Sequence, residues 1–287
     1  MRYIFIFFFS VGTLLHAIQA QQLYLEKGRL LEVEPYFNAE FIEAKNIKSI
    51  FAEHAFKDEF KPIAETRIFR KYEFNLNGRL KRFVETYDLG YKLDSTEIRY
   101  VYNSKGLVAE KHVSDVFGQY YYLFKYNLED QLIESCYGRP KPYTNPQEIK
   151  SITYEAYPSQ VKRKWFNDQG RLFKIEHLIK DASGRVESLV EKMAVGSQQK
   201  SERYEYLESG LIKCVTLEAL PQKNTVKYNY VFDQTGRVER EVVTRNEKPL
   251  SKKEFLYKDG LIYAHLEKDE LTGRIKIWEY EYEFFTL

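Results

Sequence analysis

Along most of the chain, apolar and polar residues alternate in short runs, the period of an extended strand with one half-buried face. The stretch YVYNSKGLV, residues 100–108, carries the pattern clearly. Tyr100 and Tyr102 are two apart and project from one face of a strand. Asn103 supplies a side-chain acceptor for local backbone N–H groups. Gly106 takes the positive-φ position that closes the turn, and Leu107 and Val108 restart an apolar run. The stretch reads as a β-hairpin.

The same grammar, Tyr-x-(Tyr/Phe)-(Asn/Asp)-x-x-Gly-(Arg/Leu)-aliphatic, is complete in YEFNLNGRL from Tyr72 and in YVFDQTGRV from Tyr230. Degraded copies begin at Phe124, Lys164 and Tyr204, and FLYKDGLI from Phe255 has a shorter turn. Fragments occur at Leu23 and Asp181. Gly78 and Gly106 are 28 residues apart, Gly210 and Gly236 are 26, and Gly236 and Gly260 are 24. Such spacing fits two strands and two turns per unit, a repeat architecture. A longer echo pairs NIKSIFAEHAF from Asn46 with EIKSITYEAYP from Glu148, and continues into FNLNGRL and FNDQGRL. A duplicated block is one reading of it. Residues 39–56 are rich in Ala, Glu and Lys, but the match to the Tyr-containing second copy favours a strand there.

Within each unit the position between the aromatics varies (Glu73, Val101, Lys125, Glu205, Val231), whereas the position after the turn is always aliphatic (Leu80, Val108, Leu132, Leu172, Ile212, Val238). One face is therefore aromatic and apolar and the other mixed. A sheet of that kind has to roll up or pack on a second sheet. The expected fold is all-β, an antiparallel meander of repeated β-hairpins in a rolled or spiralled sheet. Two stacked sheets are the alternative.

This grammar resembles the YD (tyrosine–aspartate) repeats of the Rhs/teneurin family over residues 66–282, with gaps. The resemblance implies strands that spiral into a β-shell, and it brings no catalytic residues. Most copies here lack the Asp, and the units are too few for a full shell.

The N-terminus, MRYIFIFFFSVGTLLHAIQA, joins one basic residue to a short apolar run and a small residue, Ala20. It reads as a secretory signal peptide, residues 1–20, with the mature chain starting near Gln21. Two blocks follow, 21–146 and 147–287, separated by the proline-rich stretch YGRPKPYTNPQ. The chain is expected to be exported, periplasmic or extracellular. Its formal net charge of +2 becomes +1 without Arg2, and no basic stripe of the kind that binds nucleic acid is present. Strong charge alternation on the mixed face argues against insertion in a membrane as a barrel. Cys136 and Cys214 fall several strands apart in a meander, beyond disulfide reach in an uncurled sheet, which favours two buried thiols.

The chemistry is sparse. His54, His112, His177 and His265 each have an acid nearby, but no His or Cys spacing marks a metal site, and no cofactor motif occurs. Carboxylates are abundant without any pair standing out. Trp165 lies between aromatics and is expected on the mixed face, where an exposed Trp beside Tyr forms a sugar- or peptide-binding surface. Core filling on an irregular sheet is the favoured reading for it, and the binding surface the alternative. Two functions from different classes remain. One is a non-enzymatic binding or structural module for an envelope polymer or protein. The other is a hydrolase whose acids converge only in the fold.

Overall fold

The computed structural model describes residues 37–90, 92–139, 148–222 and 224–286. The signal peptide and its cleavage site lie outside them, as does the proline-rich stretch from residue 140. A short helix, α1 (Ala39–Ala44), precedes eighteen strands. The first nine are β1 (Ile47–Lys57), β2 (Ala64–Phe74), β3 (Leu80–Asp88), β4 (Leu93–Tyr102), β5 (Val108–Asp115), β6 (Gly118–Tyr126), β7 (Leu132–Gly138), β8 (Glu148–Tyr157) and β9 (Gln160–Phe166). The rest are β10 (Leu172–Lys180), β11 (Val186–Met193), β12 (Gln199–Tyr206), β13 (Ile212–Leu220), β14 (Asn224–Phe232), β15 (Val238–Arg245), β16 (Lys248–Lys258), β17 (Leu261–Asp269) and β18 (Ile275–Phe284).

Each strand pairs antiparallel with its neighbours in sequence, and β1 also pairs with β18, from Ile47 opposite Phe284 to Lys57 opposite Ile275. The meander is thus a closed barrel without a free edge, a more specific outcome than the rolled sheet that the alternation predicts. β7 and β8 pair directly, so the sheet runs unbroken across the proline-rich stretch.

Residues 39–56 divide. Asn38 caps α1, its side chain accepting from the Phe41 N–H at 3.2 Å, and the strand begins only at Ile47. The strand expected from residue 39 is corrected to a helix over Ala39–Ala44, because the cap and the Ala/Glu content act locally there. Phe41 and Ile42 pack on Ile47, Ile50, Tyr72, Phe74 and Leu80. The turn at Gly78 approaches so closely that a Cβ would lie 1.9 Å from the Ala39 carbonyl oxygen.

The hairpin grammar has a physical meaning at the turn. Asn103 Oδ1 accepts from the N–H groups of Lys105 and Leu107, and Gly106 sits at φ +81°. After the turn, one extra residue bulges from the second strand. Glu73 faces Arg82 and Phe74 faces Leu80, which leaves Lys81 unopposed. Ala109, Ile133, Lys213, Glu239 and Tyr263 take the same position in their hairpins. A tyrosine near the end of a strand then reaches back across the sheet. Its hydroxyl donates to the carbonyl of the aliphatic residue in the preceding hairpin: Tyr102 to Leu80 (2.7 Å), Tyr126 to Val108, Tyr154 to Leu132, Tyr206 to Val186, Tyr257 to Val238 and Tyr282 to Ile262. Where arginine precedes that aliphatic, its guanidinium lies over the same ring, as Arg185 over Tyr206 (4.4 Å) and Arg237 over Tyr257 (4.6 Å). Six contacts between successive hairpins are thus clasped by one Tyr each.

The aromatic face is the concave one. Tyr204, Ile212, Val215, Tyr230 and Val238 form a buried cluster on β12–β15, where among the described residues no other element covers the sheet. On a convex face these side chains would meet water, so they must look inward. The outer face carries cross-strand ion pairs, including Arg82 with Glu97, Lys125 with Glu134, Arg240 with Glu254 and Lys164 with Glu155. Its apolar residues are interrupted by charge. Phe51 faces Lys71 and Glu281, Val84 faces Lys71 and Glu97, and Ile175 faces Lys164 and Lys192.

Candidate functional site

The inner wall grades from one end to the other. At the end where α1 packs, it is apolar and closed, with Ile50, Val108, Val215 and Val238 almost without exposure. Toward the opposite end it carries half-buried aromatics and charges.

One cluster there is built on β8–β11. Trp165 faces Ile152 on one side and Lys174 on the other, which places it on the inner wall. Its indole Nε1 donates to Glu176 Oε2 at 2.9 Å, and Lys174 Nζ lies 4.2 Å from the ring centroid. Glu176 is buried and also pairs with Arg163 (2.7 Å) and Lys174 (2.9 Å), and Lys174 extends to Glu191 (3.2 Å). Two cations and two acids balance, so the buried carboxylate is not left alone.

The expectation that Trp165 lies on the mixed face is therefore corrected. β1 and β8, the two Ile-Lys-Ser-Ile strands, are seven strands apart and run in opposite directions. The FNLNGRL and FNDQGRL turns consequently lie at opposite ends of the barrel. Turning a hairpin end over end, while the chain keeps its progression around the ring, exchanges its two faces. Phe74 points inward, whereas Phe166 faces outward beside Ser151 and Trp165 turns inward.

A second inner cluster crosses the closure between β1 and β18. His265, Trp278 and His54 stand opposite one another in adjacent strands. Trp278 is 6% exposed, with Arg70 stacked 4.1 Å over its ring, and Arg70 pairs with Glu85 at 2.6 Å. His265 Nδ1 is 2.8 Å from the Tyr280 hydroxyl and the ring packs on Phe255. Burial, reinforced by Lys253, Arg70 and His54, lowers the His265 pKa to about 3. Burial also lowers that of His54, whose Nδ1 meets the Thr66 hydroxyl at 3.0 Å. Sequence reading passed over this cluster because only barrel closure brings His54 and Trp278 together.

Tyr120, Tyr122 and Tyr137 form a third inner patch, with ring centroids 5.4–6.0 Å apart. Tyr120 donates to Asp115 at 2.7 Å, and burial together with that bond raises its pKa. Cys136 and Cys214 are buried free thiols on β7 and β13. Among the described residues, no group of His, Cys, Asp or Glu is arranged to hold a metal ion, and no helix is long and apolar enough to cross a membrane.

The carboxylates behave uniformly. Every one with a displaced pKa among the described residues is displaced downward. Glu97, bonded chiefly to Arg82 against some desolvation and also to Arg99, falls to about 2.

No known protein family matches the chain, and no curated protein matches it either. Distant likenesses exist among solved structures. A porin-like protein from Bacteroides uniformis is 13% identical at a TM-score of 0.41, covering 83% of this chain and 97% of its own. A TcdB2–TccC3–Cdc42 structure is 8% identical at 0.23, over 70% of this chain and 17% of its own. A LolA superfamily protein from Nitrosomonas europaea is 10% identical at 0.17, over 85% and 88%.

Proposed function

We propose that the chain is an exported, non-enzymatic β-barrel that binds a polymer or protein of the cell envelope, with the half-open part of its inner wall as the contact surface. The observation that carries this reading is the contrast between the faces. The outer wall is laced with exposed ion pairs, while the inner wall presents Trp165 and the Tyr120–Tyr122–Tyr137 patch beside paired charges. Aromatic faces next to fixed polar groups suit sugars and peptides. Kinship with YD repeats remains part of the proposal, supported by the recurrent Tyr clasp.

The test is co-sedimentation of the exported chain with purified peptidoglycan, comparing wild type with Trp165→Ala. Wild-type retention, reduced about tenfold in a variant whose circular dichroism is unchanged, is the expected result for the loss of one central aromatic contact. Equal retention of the two proteins would remove Trp165 from the binding surface.

A further inference from the structure

In an up-and-down barrel all connections from odd to even strands lie at one end, here the end away from α1. Those turns carry large apolar side chains in water. Phe60 is 95% exposed between β1 and β2, Phe117 76% between β5 and β6, Val195 87% between β11 and β12, and Leu271 81% between β17 and β18. Leu89 and Leu220 add to the series. At the other end the tips are mostly polar, such as Asn103–Leu107, Asp181–Arg185 and Asp233–Arg237, with Leu76, Leu128, Tyr157 and Phe284 as exposed exceptions. No fold requirement places phenylalanine, valine and leucine at the tips of turns, where polar residues and glycine are the usual choice.

We propose that this rim docks on a phospholipid surface and inserts these side chains among the headgroups. Their distribution favours lipid over a protein partner. A stable protein interface wants one continuous patch of about 800 Å² on each side. Here the apolar groups stand singly, on turns separated by two strand spacings of about 4.8 Å each or more, with polar residues between them. A fluid surface admits separate wedges, each desolvated on its own. The charges of these connections leave a net of only +2, with Asp58, Glu59, Asp168, Glu247 and Glu270 against Lys61, Lys92, Arg139, Lys141, Arg171, Lys223 and Arg274. Attachment is therefore apolar rather than electrostatic, and it makes no use of Trp165 or the inner wall.

Flotation of the purified exported chain with phosphatidylethanolamine–phosphatidylglycerol vesicles tests this. Wild type should float at low and at high salt. A Phe60→Ser/Phe117→Ser/Val195→Ser/Leu271→Ser variant should lose partitioning by at least about tenfold, since burial of several apolar side chains is removed. Leu76→Ser/Leu128→Ser at the opposite end, and Trp165→Ala on the inner wall, should float as wild type does. The changed side chains are exposed, so circular dichroism should not move. Failure of wild type to float would overturn the proposal. So would flotation abolished by salt, equal flotation of the four-site variant, or loss of flotation in the Leu76/Leu128 control.

Discussion

At the scale of single residues, the turn glycines obey rules that need no knowledge of the rest of the molecule. Gly106 sits at φ +81°, and a Cβ there would also meet the Arg79 side chain at 2.0 Å. Ser104 is an exposed turn residue. Gly106→Val is expected to destabilise by about 1–3 kcal/mol through left-handed strain, while Ser104→Val stays within about 0.5 kcal/mol, as exposed sites do. Urea midpoints of the two variants decide it, and equal midpoints would refute the turn geometry. This part of the structure was legible because its cause is local. The facing of Trp165 was not, since side-chain alternation says which residues share a face but not which end of a barrel a turn occupies.

At the scale of the strand and hairpin, alternating Tyr and Phe announced an aromatic face, but not the bond that each tyrosine makes. That bond depends on the bulge, which sequence conceals because the extra residue has no common type: Lys81, Ala109, Ile133, Glu239. Phe232 occupies the clasp position opposite Val238 without a hydroxyl. By the geometry of Tyr206 and Tyr257, a hydroxyl at Phe232 would meet the carbonyl of Ile212. Phe232→Tyr is thus expected to stabilise by about 0.5–1.5 kcal/mol, the net worth of one hydrogen bond. A lowered denaturation midpoint would show that the clasp is not transferable between hairpins. Helix α1 escaped the strand reading for a related reason, since six residues closed by an Asn cap follow local preferences that the repeat does not share.

At the scale of the molecule, closure buries histidines that lie far apart in sequence. His265 ionises in the folded state only near pH 3, whereas the unfolded chain takes up that proton near 6.5. Below 6.5 the unfolded state therefore binds more protons, and stability falls with pH by up to about 1.4 kcal/mol per unit for each histidine kept neutral. His54 acts in the same direction. The lowered carboxylates hold their contribution above their unfolded values near 4, so the window between pH 6.5 and about 4.5 isolates the histidines. Denaturation free energies measured across that window should slope downward toward acid, and the slope should lessen in His265→Phe. A flat profile in wild type would mean that His265 is open to water.

Barrel closure also orders events in time. β1 finds one partner in β2, a few residues away, and the other only in β18, at the far end of the chain. Until residues 275–284 are available, the first strand exposes a row of unsatisfied amides and carbonyls, and so does whichever strand currently ends the growing sheet. Every hairpin can fasten to its predecessor as it appears, yet none of the intermediates is self-contained. β1 is paired on both sides only once β18 has been made.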